Sequence, residues 1–260
     1  MKRVVVKIAY LGDGFNGSQI QPTGRTVESE VLDKLVLVSK LTPGELDLKF
    51  SSRTDKGVNA LGNAVSFNSI FTNNSTLLRA LNAVGKDIFF RSICDVPDDF
   101  NVRYASSRIY RYVLPYTKDM DIDLALECAD MFLGEHDFAR FCKPDNKPTV
   151  AKIDRIDIDV KGDVMILEFE ARFFLWNMIR RIVAAIESVS KGIHDLEDVH
   201  RALNDLEEIN FGVARPDALT LLDVNYDWLS FENADPSLFR ERKEEEMFDS
   251  KLRGTFFESL

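Results

Sequence analysis

The order of strand-like and helix-like segments, which repeats once along the chain, constrains the fold more than any other feature. Residues 2–10 are β-branched and strand-like, Thr26 is a helix cap before an apolar stripe, and two strands, a helix and a further strand follow up to Val96. The same order recurs within residues 106–226. It is typical of the ferredoxin-like unit, so we predict an α/β (α+β) protein with two ferredoxin-like (RNP-like) lobes, mainly antiparallel sheets and a central cleft.

The repeat also predicts the domain boundaries. Residues 1–104 would form the N-terminal lobe and residues 105–226 the C-terminal lobe. Residues 227–260 are rich in charge, and we expect them to form an extension that is helical from about residue 236 to residue 252.

The charge of the chain gives a mixed indication about its partner. A net charge of −10 argues against a polyanionic partner, because phosphate binding depends on Lys and Arg. The charges are unevenly placed, however: residues 1–117 carry more basic than acidic side chains, and the remainder carries most of the acidic ones. An RNA-binding face built mainly by the first half is therefore compatible with the sequence.

Cysteine usage and hydropathy exclude other classes of protein. The three cysteines and three histidines have no spacing typical of a zinc site or a disulfide framework, so we expect neither. No apolar run approaches the roughly 20 residues needed to span a bilayer, and the first residues lack a signal-peptide pattern. We therefore expect a cytoplasmic protein with no membrane partner.

A glycine-rich stretch follows the first strand. Gly12, Gly14 and Gly17 formally satisfy G-x-G-x-x-G, which is a dinucleotide-binding pattern when a helix begins within the glycines. Here S-Q-I-Q-P follows instead, and the helix is predicted to begin only after Thr26. A nucleotide or flavin cofactor is therefore not expected, although an oxidoreductase remains a distant alternative.

The candidate catalytic residue lies in S-S-R-T-D-K-G-V-N-A, at residues 51–60. This polar connection stands between strand-like runs at 46–50 and 63–67, where catalytic side chains are commonly presented. Arg53 and Asp55 would share one side of an extended backbone, and Gly57 permits a turn. The alternative is that Asp55 only caps a D-x-G turn.

A second polar pattern lies on the strand that opens the C-terminal half. Tyr110 and Tyr112 alternate with Arg108 and Arg111, so the tyrosines share one face. Such a strand suits a surface that stacks a base and holds phosphates, whereas the alternative is a half-buried aromatic face of a sheet.

An apolar helix is predicted at residues 173–190, and its two arginines need an explanation. Arg180 has Trp176 among its helical neighbours and is the one expected to be desolvated, which requires an anionic partner unless the side chain reaches solvent. His136 could serve as a general base, but we favour a structural role for it.

Several motifs together resemble one family. In chain order they are Y-L-G-D-G-F-N-G-S-Q-I-Q-P, S-R-T-D-K-G-V-N-A, F-N-V-R-Y-A-S-S-R-I-Y-R-Y, F-L-W-N-M-I-R-R-I-V and A-R-P-D-A-L-T-L-L-D-V-N-Y. They span about residues 2–226 and resemble the tRNA pseudouridine synthase A family. Ser52, Asn59, Ala185 and Ala218 depart from common family residues in a way that looks archaeal.

The resemblance implies both an activity and a set of roles. The family converts uridine to pseudouridine at positions 38 to 40 of the tRNA anticodon stem-loop, without a cofactor or a metal, and is commonly homodimeric. Asp55 would be the catalytic residue, as a nucleophile that attacks C1′ or, in the alternative that the sequence leaves open, as a base that removes the 2′ proton, and it would form an ion pair with Arg180. The resemblance further implies that Tyr110 stacks on the target uracil, that Arg53 and Arg103 contact RNA, and that Leu219 walls the site.

A rival reading assigns the same basic and aromatic strands to a non-catalytic protein. An RNA-binding or RNA-folding module would need the face but not the carboxylate. Replacing Asp55 separates the enzyme from the RNA-binding module, because only the enzyme would lose an activity.

Overall fold

The computed structural model describes residues 1–85, 87–146 and 148–259. Within them, one nine-stranded sheet runs in the order β11-β4-β1-β3-β10-β5-β9-β8, β2 pairs with β3 beside this path, and β6 and β7 form a separate pair. The strands are β1 (Lys2–Tyr10), β2 (Lys49–Phe50), β3 (Asn59–Ser69), β4 (Phe89–Val96), β5 (Ser107–Pro115), β6 (Gly134–Asp137), β7 (Val150–Ile153), β8 (Arg155–Lys161), β9 (Val164–Ala171), β10 (Leu219–Asn225) and β11 (Glu232–Asn233).

Most of the helices pack against this sheet or against one another. They are α1 (Val27–Ser39), α2 (Pro43–Leu46), α3 (Asn74–Ala83), α4 (Ile122–Asp130), α5 (Met178–Ser190), α6 (Leu196–Asn204) and α7 (Arg240–Glu258). Thr26 caps α1 as predicted: its side chain accepts a hydrogen bond from the backbone N–H of Ser29, and the Ser29 side chain accepts one from the N–H of Thr26.

The two halves of the sheet share one strand order, which confirms the predicted fold class. In the first half the order is β4-β1-β3-β2, and in the second it is β10-β5-β9-β8, so in each the fourth strand lies beside the first and the third beside the second. The ladders within each half are antiparallel. The domain boundaries at residues 104 and 226 remain a prediction.

The halves join through a short parallel ladder between β3 and β10. Asn59 pairs with Thr220 and Ala60 with Leu221. β2 pairs with Val65 and Ser66 further along β3, on the edge that β1 leaves free. The connection from β2 to β3 therefore lies where the sheet passes from one half to the other, and we call this place the seam.

Two predicted boundaries were wrong for local reasons. Residues 46–50 do not form one strand, because Thr42 caps the single turn α2 and Asp47 ends it in a left-handed conformation with φ 44°. The helix predicted at 173–190 begins only at Met178, because Asn177 is left-handed with φ 61°. Residues 172–177 therefore form a connection between β9 and α5, which we call the aromatic loop.

The C-terminal extension is only partly helical. β11 extends the sheet beside β4, and α7 then runs for 19 residues with no buried side chain. In the part of the chain that the structure describes, none of the helices combines the length and hydropathy needed to cross a membrane.

Candidate active site

The connection 51–58, here called the aspartate loop, is fastened to the first half by hydrogen bonds. The backbone N–H of Ser18 donates to the carbonyl of Thr54 (3.0 Å), and the N–H of Thr54 donates to the Ser18 hydroxyl (2.8 Å). The hydroxyl of Tyr10 lies 2.9 Å from that of Thr54, and Asn63 donates to both Tyr10 and the carbonyl of Ser52. Because these groups are buried, each bond also satisfies a polar atom that water cannot reach.

The glycine-rich stretch supports the same loop. A Cβ on Gly12 would lie 2.4 Å from the carbonyl oxygen of Val58, and one on Gly17 would lie 3.2 Å from that of Thr54. Gly17 also has a φ of 85°, which favours glycine. The stretch forms one 3₁₀ turn, and the next helix begins at Val27. Its glycines thus let two backbones come into contact.

Asp55 is held by two side chains from the second half of the chain. An Arg180 Nη lies 3.5 Å from one carboxylate oxygen, and the indole Nε1–H of Trp176 donates to the other at 3.0 Å. The Asp55 side chain is 35% exposed and that of Arg180 is 16% exposed. The structure therefore brings together the predicted pair, with the carboxylate still open to solvent.

Arg180 is itself oriented by neutral acceptors. Its Nε donates to the carbonyl of Ala214 (2.6 Å), and an Nη donates to the side chain of Asn177 (3.2 Å). Since Arg180 stands in the first turn of α5, these bonds direct its guanidinium back toward the seam. A guanidinium placed this way can stabilise the ionised carboxylate and fix its direction.

Tyr110 is buried in the free protein, so its ring is not yet accessible for stacking on a base. It is 7% exposed, it pairs with Leu221 and Phe169 across β5, and its ring meets that of Phe174 edge to face, 5.3 Å between centroids. Burial raises the pKa of Tyr110, and the charge of Asp55 adds to the rise. The tyrosine is therefore near the carboxylate, under a residue of the aromatic loop.

The three remaining predicted residues differ in exposure. Arg53 and Arg103 are exposed, Arg53 within the aspartate loop and Arg103 just before β5. Leu219 is buried at the start of β10, opposite Tyr112. The contacts of these residues with RNA, and the wall role of Leu219, stay predictions.

The phosphate-holding interpretation of Arg108 was wrong. This guanidinium is buried, and it donates to the hydroxyls of Ser52 (2.9 Å) and Ser51 (3.1 Å) and to the carbonyls of Ser51, Arg103 and Arg172. Burial lowers its pKa. Arg108 thus ties the aspartate loop to Arg103, which precedes β5, and to Arg172, which begins the aromatic loop. Arg111, on the opposite face of the strand, forms an ion pair with Glu168 (2.5 Å).

Sequence reasoning missed Trp176 as a partner of Asp55. The sequence predicts Trp176 inside a helix, as a neighbour of Arg180, whereas it precedes the helix. Asn177 was the one sequence signal for a later start of the helix, since Asn adopts the left-handed conformation more readily than most residues; it did not indicate the contact with Asp55. His136 has the favoured structural setting: its Nε2 lies 2.9 Å from the carbonyl of Leu133.

The site offers acid, base or nucleophilic chemistry through Asp55. Among the described residues, no group of three His, Cys, Asp or Glu side chains is placed to hold a metal ion. What the geometry supplies is an oriented carboxylate, a guanidinium beside it and aromatic rings around it. Such a set can attack an electrophilic carbon and hold a planar ring.

Comparison with known proteins places this chain among a large group of relatives. A family model described as tRNA pseudouridine synthase matches residues 128–227. The tRNA pseudouridine synthase A of Pyrococcus abyssi is 39% identical over 98% of this chain and 96% of its own length, and that of Pyrococcus horikoshii is 41% identical over 98% and 97%. The enzyme of the same name from Methanocella arvoryzae is 38% identical over 95% and 92%.

Proposed function

Because this chain belongs to the tRNA pseudouridine synthase A family, we propose that it isomerises uridine to pseudouridine in the anticodon stem-loop of tRNA, with Asp55 as the nucleophile. The chain is accordingly a tRNA pseudouridine synthase, an isomerase. The position in the tRNA, 38 to 40, and the residue roles are the proposal. They rest on the family resemblance and on the geometry of the seam.

The reaction conserves atoms. The bond from C1′ to N1 of the uracil breaks, the base turns, and a bond from C1′ to C5 forms. The hydrogen on C5 is released as a proton, while N1 takes one up. In the proposed mechanism a carboxylate oxygen of Asp55 attacks C1′, and that bond breaks when C5 attacks in turn.

One observation carries the proposal: Asp55 is a partly exposed carboxylate whose two oxygens face different donors, Arg180 and Trp176. A nucleophile has to be accessible and correctly directed, because misplacement of the attacking atom costs rate. The aspartate loop is fixed by bonds to the first half and to Arg108, and Trp176 and Arg180 complete the site from the second half.

The target base has to leave its stack to reach Asp55, at a cost of a few kcal/mol. Stacking on Tyr110 would offset part of that cost, but in the free protein Tyr110 is buried and its ring meets that of Phe174 edge to face. Phe174 must therefore move aside as the base enters. Exposed Arg53 and Arg103 are suited to contact the phosphates, which would hold the everted nucleotide in place.

The decisive test compares Asp55→Asn with the wild-type enzyme. Tritium release from tRNA labelled at C5 of uridine reports turnover, and filter binding reports affinity for tRNA. We expect at least about a thousandfold loss of release with affinity within about threefold of wild type, because the nucleophile is lost but its surroundings remain. Asp98→Asn, an exposed substitution away from the seam, is the matched control.

The result also decides between the enzyme and the rival reading. Equal release by Asp55→Asn and wild type would exclude Asp55 as the nucleophile, and no release by either would favour a non-catalytic RNA-binding module. Mapping pseudouridines in the product tests positions 38 to 40. Homodimer formation and a cytoplasmic location, implied by the resemblance and the sequence, stay predictions, and sedimentation tests the first.

A further inference from the structure

We propose that Trp176 is a positioning residue for catalysis, which holds the Asp55 carboxylate in the plane needed for attack. This inference rests on the proposed function of Asp55. It assigns to Trp176 a role beyond that of an aromatic surface for RNA.

The first observation is the pair of distances at Asp55. The indole nitrogen lies 3.0 Å from its carboxylate oxygen, within the range of an N–H···O hydrogen bond. The guanidinium of Arg180 lies 3.5 Å from the other oxygen, beyond the 2.7–2.9 Å typical of a charge-assisted bond. In the free enzyme the shorter contact is therefore made by the neutral indole, and it fixes one oxygen while Arg180 supplies charge to the other.

The second observation is that the indole itself is fastened. The backbone N–H of Lys143 donates to the carbonyl of Trp176 (2.7 Å), and Lys143 Nζ lies 3.9 Å from the centre of the indole ring. The left-handed Asn177 that follows turns the chain into α5. Trp176 is thus held at its backbone and on one ring face, although 44% of its surface is exposed.

These contacts argue against base stacking as the main role of Trp176. Stacking uses a face of the ring and does not require its N–H to be directed at a carboxylate. Here Lys143 covers one face, and the N–H is engaged with Asp55. Arg180 depends on the same connection, because it bonds to Asn177, the neighbour of Trp176. The aromatic loop and the first turn of α5 thereby present the two donors side by side.

The test uses the only two tryptophans of the chain. Trp176→Phe keeps a ring and removes the N–H, whereas Trp228→Phe makes the same change at a position that is 65% exposed and packs on Phe100. Single-turnover rate with saturating tRNA and affinity for tRNA are measured separately. We expect Trp176→Phe to lower the rate about tenfold or more, with affinity within about twofold of wild type, because a hydrogen bond to a charged group is lost. Trp228→Phe should change neither.

A spectroscopic measurement tests the contact directly. In the Trp228→Phe background Trp176 is the sole tryptophan, so its emission reports the surroundings of the indole. Replacing Asp55 by Asn should shift that emission, since the negative charge beside the indole N–H is removed. An unchanged spectrum would contradict the contact.

Two results would overturn the inference. One is a wild-type rate in Trp176→Phe, and the other is a loss of tRNA affinity with an unchanged rate in the bound complex, which would make Trp176 a binding residue only. Lys143→Gln is a second variant for the case in which Trp176→Phe fails to fold. We expect it to lower the same single-turnover rate about threefold. An unchanged rate in Lys143→Gln would then overturn the inference. An active Asp55→Asn would instead refute the proposed function, so the two failures are distinguishable.

Discussion

The aspartate loop and the aromatic loop meet at Asp55, but they are held in different ways. The aspartate loop is bonded through buried groups of Ser18, Tyr10, Asn63 and Arg108, and the glycine-rich stretch packs on its backbone. The aromatic loop presents Trp176, which is 44% exposed, and bonds mainly through backbone groups. The difference suggests that the proposed reacting atom belongs to the more buried element. In the more exposed aromatic loop, Phe174 is the side chain expected to move for the substrate, whereas Trp176 stays fastened through Lys143.

The largest effect on the two loops is expected from the replacement of Arg108, because its side chain bonds to both of them. Arg108→Met would leave buried carbonyl and hydroxyl groups without a donor, and we expect a loss of about 3 kcal/mol in the free energy of unfolding. Urea denaturation measures it. Arg111→Met, on the exposed face of the same strand, removes a single ion pair and should cost less than about 1 kcal/mol. Equal losses would show that Arg108 is not a tie between the loops.

A second prediction tests the support of the aspartate loop from below. In Gly12→Ala the new Cβ would lie 2.4 Å from the carbonyl oxygen of Val58, so one backbone must move, and we expect a loss of about 2 kcal/mol together with lower activity. In Gly14→Ala the nearest atom is the end of the Arg25 side chain at 3.8 Å. This control should unfold at nearly the wild-type urea concentration. A Gly12→Ala variant with wild-type stability and activity would mean that the aspartate loop can shift to accommodate the new Cβ.

The features that follow from local patterns were predictable from the sequence. Alternation, caps and turn residues predicted the order of helices and strands along both halves of the chain, because each depends on neighbours within a few positions. The ferredoxin-like pairing of those strands was inferred from that order. The predicted start of α5 is too early because residues 173–176 are apolar and fit a helical stripe, whereas the left-handed conformation of Asn177 delays the start of the helix to Met178.

The parts that depend on distant partners were less predictable. Arg108 resembles a surface arginine in sequence, and only the stacking of three chain segments around it reveals that it is buried. The Asp55 and Arg180 contact was expected from family motifs, not from spacing. No local signal indicated that the N–H of Trp176 would find Asp55, which lies in the other half of the sheet.

The smallest expected effect concerns the hydroxyl of Tyr10, which joins Thr54 to Asn63 beneath the aspartate loop. Burial raises the pKa of Tyr10, so the folded state keeps this proton to higher pH than the unfolded state does. The contribution of the group to stability is therefore complete below pH of about 10 and is lost as pH rises further.

Tyr10→Phe should cost about 1 kcal/mol at pH 7, and the difference from wild type should shrink in urea titrations above pH of about 10. Tyr104→Phe, 75% exposed, should match wild type at both pH values, and a gap for Tyr10→Phe that stays constant with pH would show that the hydroxyl contributes only through packing.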